Sequence, residues 1–212
     1  MRKFLLLFSV FVLQYGYSQT HLYVHEDAEH YVAETNIIAI LPFDVEVKLR
    51  PNAMKKLTAE QLVEMEKAEG LDVQRAMYSW FLKRKKRGDM RIEVLSPQKT
   101  NAILQRNGVD LHNLDKYLPG ELGAMLGVDA LVMGDLETSK PMSDGASIVV
   151  GALFGFFGST NKGVINLDIV HTADETLVVN YNKKVSGSLG SSSEDMINVL
   201  MRKVTRRIPY TG

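Results

Sequence analysis

The sequence predicts an α/β domain: a mixed sheet with helices packed on it, a C-terminal antiparallel hairpin and a closing helix. Three stretches carry the prediction. Ile37–Phe43 is continuously apolar, as a short strand covered on both faces is. Leu122-Gly123-Ala124-Met125-Leu126-Gly127-Val128-Asp129-Ala130-Leu131-Val132-Met133-Gly134-Asp135-Leu136 reads as a helix that stops at Gly127 and turns straight into a second buried strand. Val164–His171 and Thr176–Val185 both alternate, with Ala173-Asp174-Glu175 turning between them, the pattern of a hairpin.

The elements follow in order. Residues 19–35 are polar and hold three of the five histidines; they read as an arm ahead of the first strand. Pro42 removes a ladder donor near the end of that strand, and Asp44–Asn52 reads as a polar crossover. Thr58 and Gln61 form a capping box, with Leu57 and Leu62 as its hydrophobic staple. The helix they open presents Leu62, Met65, Val73, Met77, Trp80 and Phe81 as its apolar stripe. Gly70 predicts a bend or break. Lys83-Arg84-Lys85-Lys86-Arg87-Gly88 ends the helix, with cations at the negative end of its dipole and a glycine stop.

Met90–Leu95 reads as a short strand. Ser96-Pro97 is an N-cap with proline at the first helical position, and the helix it opens closes at Gly108. Pro119 starts the helix that closes at Gly127, and Val128–Leu136 is the next strand. In the hairpin, Ile165, Leu167 and Ile169 point one way and Asn166 and Asp168 the other, with Leu177, Val179 and Tyr181 matching the apolar set. Ser191 and Glu194 open a last helix whose stripe is Met196, Val199, Leu200 and Val204. The predicted order is β-α-β-α-α-β-β-β-α.

The first 18 residues have the form of a signal peptide. Arg2 and Lys3 are a basic start, Phe4–Leu13 an apolar run broken only by Ser9, and Gly16 and Ser18 the small residues before a cleavage site. The run is shorter than the roughly 20 residues of a spanning helix. The expected layout is therefore a signal peptide over 1–18, a polar arm over 19–35 and a single domain over 36–212. With no cysteine in the chain, an exported protein must hold its fold by core burial alone. There is also no thiol to carry a lipid at the cleavage site. Lys and Arg number 25 against 25 Asp and Glu, which offers no electrostatic case for nucleic acid.

Several of these segments fall in a familiar order. A strand ending Leu41-Pro42-Phe43 leads to a long helix. Ser96-Pro97 opens a helix carrying Ile103-Leu104. The Leu126-Gly127-Val128-Asp129-Ala130-Leu131-Val132-Met133-Gly134 turn follows, then the Thr172-Ala173-Asp174-Glu175 hairpin and a closing helix. This order resembles the periplasmic domains of the CsgG/LpoB/TolB-N-terminal-like superfamily of bacterial envelope proteins, over roughly residues 36–208. The resemblance implies an envelope protein with a structural or binding task. It also raises a curli-like secretion pore subunit as an alternative. The chain departs from the lipoprotein members in lacking the cysteine. Residues 148–158, placed where a membrane hairpin of the pore type would fall, do not alternate as membrane strands do.

Sites of chemistry are sparse. His21, His25 and His30, with Glu26, Asp27 and Glu29, are the densest set of potential metal ligands. His25 and His30 stand at i and i+5, whereas a zincin helix needs i and i+4, so the arm reads as solvated. No nucleophile elbow or phosphate loop occurs, and no cofactor is expected. Asp129, Asp135, Asp44 and Asp168 read as turn and strand-end residues. The run Lys83–Arg87 is accounted for as a helix end, with attraction of anionic lipid or polymer as the alternative. The segment Ile148–Gly158 is the strongest surface candidate. Ile148, Val149, Leu153, Phe154, Phe156 and Phe157 stand among glycines, a composition poor for a regular core element and suited to partner or membrane contact, with a core strand or a tucked loop as the alternative.

The expectation is a non-enzymatic, exported protein, periplasmic or associated with the outer membrane and not lipidated. It would bind an envelope protein partner or the outer membrane surface through the Gly/Phe segment and the adjacent hairpin, and a homo-oligomer is compatible with this. The pore subunit is the alternative. A metal-dependent hydrolase using the histidine arm is the reading from a different class.

Overall fold

The computed structural model of the chain describes residues 20–49, 54–55, 57–110, 113–138, 162–186, 202–204 and 208–211. Its elements are β1 (Thr20–Val24), α1 (Ala28–Glu34), β2 (Ile37–Ile40), β3 (Asp44–Val47), α2 (Ala59–Arg87), β4 (Glu93–Leu95) and α3 (Pro97–Arg106). A 3-10 turn (Leu114–Lys116), α4 (Pro119–Leu126), β5 (Ala130–Thr138), β6 (Lys162–His171) and β7 (Leu177–Ser186) complete the described set. They build one seven-stranded mixed sheet in the order β1-β7-β6-β5-β2-β4, with β3 pairing β5. The β2 strand runs parallel to β4 and β5, and β3 is also parallel to β5. The β5, β6, β7 and β1 strands are antiparallel in turn. The mixed α/β architecture is the one the sequence predicts.

Alternation along β2 divides the core in two. Ile38 and Ile40 face α2, in a cluster with Val73, Met77, Phe81, Val132, Leu167, Ile169, Val179 and Tyr181. Ala39 and Leu41 face the other way, packing with Leu104, Leu122, Leu126 and Leu131 under α3 and α4. C-terminal residues Val204, Ile208 and Tyr210 join the first cluster.

The local signals hold. The Thr58 hydroxyl accepts from the Gln61 N–H at 3.3 Å, and the Thr58 N–H donates to the Gln61 side chain at 3.0 Å. Leu57 and Leu62, on either side of this cap in sequence, are partly buried against the α2-side core. At the helix-to-strand turn, Gly127 takes φ 66°, a left-handed conformation that costs glycine little. The Gly127 and Val128 N–H groups donate to the Gly123 carbonyl at 2.8 and 3.1 Å. Asp129 then locks the turn to β2, its carboxylate accepting from the Asn36 N–H at 2.7 Å and the Ile37 N–H at 3.0 Å.

Four expectations are corrected. Residues 20–35, expected to belong to an arm ahead of the first strand, are structured: β1 pairs along β7 as a sheet edge, and α1 follows it. Asp44–Val47 is not crossover but strand, with side chains alternately exposed and buried. The helix does not break at Gly70; α2 runs unbroken for 29 residues. Glycine is needed there because any Cβ would collide with the Phe43 carbonyl oxygen, and the Phe43 N–H donates to the Gly70 carbonyl at 3.3 Å. Leu177 does not join the inward set. The β6–β7 register shifts between Ile169 and Val170, which makes Val178 an extra, fully buried residue. Alternation restarts across such a bulge, leaving Leu177 at 37% exposure. The expected last helix lies outside the described residues except at 202–204.

Candidate binding face

The side of the sheet away from α2 is covered by α3 and α4 only over β2, β4 and the first half of β5. Beyond that, strand alternation places polar side chains on a face that no described helix covers. Asp44, Asp135, Asn166, Asn182 and His21 form one row across β3, β5, β6, β7 and β1. Met133, Asp168, Asn180 and Tyr23 form the next row on one side. Glu46, Glu137, Val164 and Lys184 form the row on the other. Asp44, Glu46, Asp135, Glu137, Lys184, His21 and Tyr23 are exposed, while Asn166, Asp168, Asn180 and Asn182 are half-buried.

Hydrogen bonds tie the rows together. Asn166 Nδ2 donates to Asp135 Oδ1 at 3.2 Å. Asn180 Nδ2 donates to Asn166 Oδ1 at 3.0 Å and to Asp168 Oδ1 at 2.6 Å. Lys48 bridges the row above, its ammonium 2.6 Å from Glu137 and 3.6 Å from Glu46. The Glu137 hydrogen bond is the chief reason its pKa is raised. Asp168 has no such cation. Burial pushes its carboxyl up; the Asn180 hydrogen bond opposes that, and the charge of Asp135 adds to it. Among the described residues, Asp44, Asp135 and Asp168 make no ion pair.

The histidine region forms a different structure. The Tyr31 hydroxyl of α1 donates to Asp174 Oδ2 at 2.9 Å, in the hairpin turn, and lies 3.2 Å from the Thr176 hydroxyl. His171 Nδ1 is 3.2 Å from Asp174 Oδ1. The rings of His25 and His171 lie 5.3 and 5.1 Å from that of Tyr31. Burial pulls the Asp174 carboxyl up, but hydrogen bonds from the Thr176 N–H, Tyr31, the Thr176 hydroxyl and His171 outweigh it and hold the group below the usual carboxylate range. His21 lies on β1, His25 Nδ1 accepts from the Asp27 N–H at 3.1 Å, and His30 is 3.5 Å from Glu34. Among the described residues, no three His, Asp or Glu side chains form a group able to hold a metal ion.

Ile148, Val149, Leu153, Phe154, Phe156 and Phe157 lie outside the described residues. At the basic helix end, Arg84 pairs with Asp89 at 3.0 Å and Lys85 with Glu93. Lys83, Lys86 and Arg87 are exposed. Reading Asp44 and Asp135 as isolated strand-end residues missed the face they share. The available signal was the two-residue alternation Asp44-Val45-Glu46-Val47, which marks β3 as a strand.

No protein-family model and no curated protein matches the chain. Among solved structures it is similar to the lipoprotein GNA1162 from Neisseria meningitidis, with 13% identity, 82% of this chain and 97% of that one covered, and a TM-score of 0.43. It is also similar to PelC from Paraburkholderia phytofirmans, solved as a dodecamer, with 6% identity, 92% and 99% coverage and a TM-score of 0.42. The LpoB C-terminal domain from Salmonella enterica gives 8%, 75% and 93% coverage, and 0.33. Likeness at this level is a matter of chain course and carries nothing about function. No described helix is long and apolar enough to cross a membrane.

Proposed function

We propose that this protein is a non-enzymatic, exported binding or assembly protein of the cell envelope. It would contact a protein partner through the open face of β5, β6, β7 and β1 and through the Gly/Phe segment 148–158, which lies between β5 and β6 in sequence. The observation that carries the reading is the open face itself. A sheet packed against α2 on one side and, over β6, β7, β1 and the second half of β5, left polar and covered by no described helix on the other presents a flat surface of the kind partners use. Export rests on the signal-like first 18 residues.

A second feature supports binding over catalysis. The β2 and β4 strands are parallel neighbours whose C-terminal connections leave toward opposite faces, which is where open α/β sheets hold ligands. Here Gln74 occupies that position. It is fully buried, and its Nε2 donates to the Ile40 carbonyl at 2.7 Å and to Asn101 Oδ1 at 3.0 Å. The pore alternative would use the hairpin 164–185 in a membrane. Its apolar residues Ile165, Leu167, Ile169, Val179 and Tyr181 are instead committed to the core under α2.

The test is site-specific photo-cross-linking in cells. A probe at Asn182, on the open face, should capture a defined protein, and a probe at Val63, exposed near the start of α2, should not. Capture from Val63 alone, or from neither site, would remove the reading.

A further inference from the structure

We infer that the acidic rows of the open face receive the basic end of α2 from a second copy of this chain, so that copies associate head to tail. This rests on the reading above that the open face is the contact surface, and it names the occupant.

The acidic rows are built against their own stability. β3 and β5 set Asp44 directly beside Asp135 and Glu46 directly beside Glu137, and like charges on neighbouring strands repel. Lys48 relieves only the glutamate pair. Asp168, half-buried and sensing Asp135, adds a third carboxylate without a cation among the described residues. A cationic group laid on this face would relieve all three.

The same chain carries a matching basic surface. At the end of α2, Lys83, Lys86 and Arg87 are exposed and make no ion pair among the described residues, since Asp89 and Glu93 are taken by Arg84 and Lys85. Topology keeps the two surfaces apart. β3 lies beyond the C-terminal end of β2, alongside the C-terminal half of β5. α2 runs back along the sheet and delivers its basic end next to β4, where Glu93 pairs with Ile37 at the start of β2. A helix of 29 residues spans about 43 Å at 1.5 Å per residue. The basic end of one copy's α2 therefore cannot reach its own acidic rows, whereas two copies can bring the two surfaces together. Because the two surfaces differ, the contact is heterologous and generates a ring or an open chain. Without Arg2 and Lys3 the processed protein carries 23 basic against 25 acidic residues, a balance near zero that sets little overall repulsion against association.

Sedimentation velocity on the processed protein tests this. Oligomers are expected at about 50 mM salt and dissociation at about 500 mM, where screening shortens the reach of the charges. Asp135→Lys alone and the pair Lys86→Glu with Arg87→Glu alone should each weaken self-association about tenfold or more. Mixing the two variants should restore it, because each then offers the charge the other lacks. A monomer at low salt, or single variants that associate as the unaltered protein does, overturns the inference. If Asn182 nevertheless captures a different protein in cells, the open face remains the contact surface and only the occupant was wrong. If it captures nothing, both readings fall.

Discussion

The side-chain amides of Gln74 and Asn101 hydrogen-bond to each other twice, at 3.0 Å in each direction, although 27 residues separate them. Gln74 belongs to α2 and Asn101 to α3, so the pair joins the two helical layers across the end of β2. It also satisfies the Ile40 carbonyl.

Replacing Gln74 should therefore cost more than a surface substitution. Gln74→Leu leaves the Ile40 carbonyl and the Asn101 amide without their partner. Stranding buried polar groups costs about 1–3 kcal/mol. Urea unfolding is expected to show a lower midpoint with an unchanged slope, and a double-mutant cycle with Asn101→Ala should show coupling between the two sites.

Gly70→Ala should destabilise. In an exposed helix interior this change favours the helix by about 1 kcal/mol. Here the added methyl meets the Phe43 carbonyl oxygen, so α2 must move off the β2–β3 link, and overpacking of this kind costs about 1–3 kcal/mol. Thermal unfolding gives the sign, and a rise in midpoint would show that the helix does not sit this close.

Asp174 ties stability to acid pH. Its carboxyl is held below the ordinary value by the Thr176, Tyr31 and His171 hydrogen bonds, which outweigh its burial. A depressed carboxylate contributes stability that is complete above its unfolded pKa, about 3.9, and is lost as pH falls through its folded value. Asp174→Asn should flatten the dependence of stability on pH below about 4. Tyr31→Phe should speed hydrogen exchange in α1 at neutral pH, since the Tyr31 hydroxyl is what ties that helix to the hairpin turn.

Asp168 has the opposite sign. Its carboxyl is raised, chiefly by burial, so ionisation disfavours the folded state above the unfolded pKa, and stability recovers as pH falls. Asp168→Asn removes that charge while keeping an oxygen for the Asn180 amide. The midpoint of thermal unfolding at pH 7 should rise, and the gain should vanish in acid, where the native residue is already neutral.

Much of the fold was legible because its causes are local. Thr58 with Gln61, Ser96 with Pro97, and Gly88 and Gly127 each act within a few residues, so the ends of α2, α3 and α4 could be placed without a partner in view. The candidate face was less legible. Asp44, Asp135 and Asp168 are far apart in sequence, and each alone has an ordinary reading as a strand-end residue. They become a surface only once β3 is recognised as a strand and its register with β5 is known. β1 escaped notice for a similar reason: five residues at the start of a polar stretch carry little periodicity, and pairing with β7 is what makes them a strand.

The sequence by itself therefore determined β2, β5, the starts and stops of α2, α3 and α4, the hairpin and the α/β class, because these depend on hydrophobic period and on hydrogen bonds made within one or two turns. Only the tertiary structure decided that Thr20–Val24 belongs to the sheet. It alone decided that Gly70 marks a close approach and not a break, that Leu177 faces out past a bulge, and that like charges sit side by side on β3 and β5. Each of those outcomes is set by register between distant strands or by contact between layers, and a one-residue shift in pairing would reverse which side chains the open face presents.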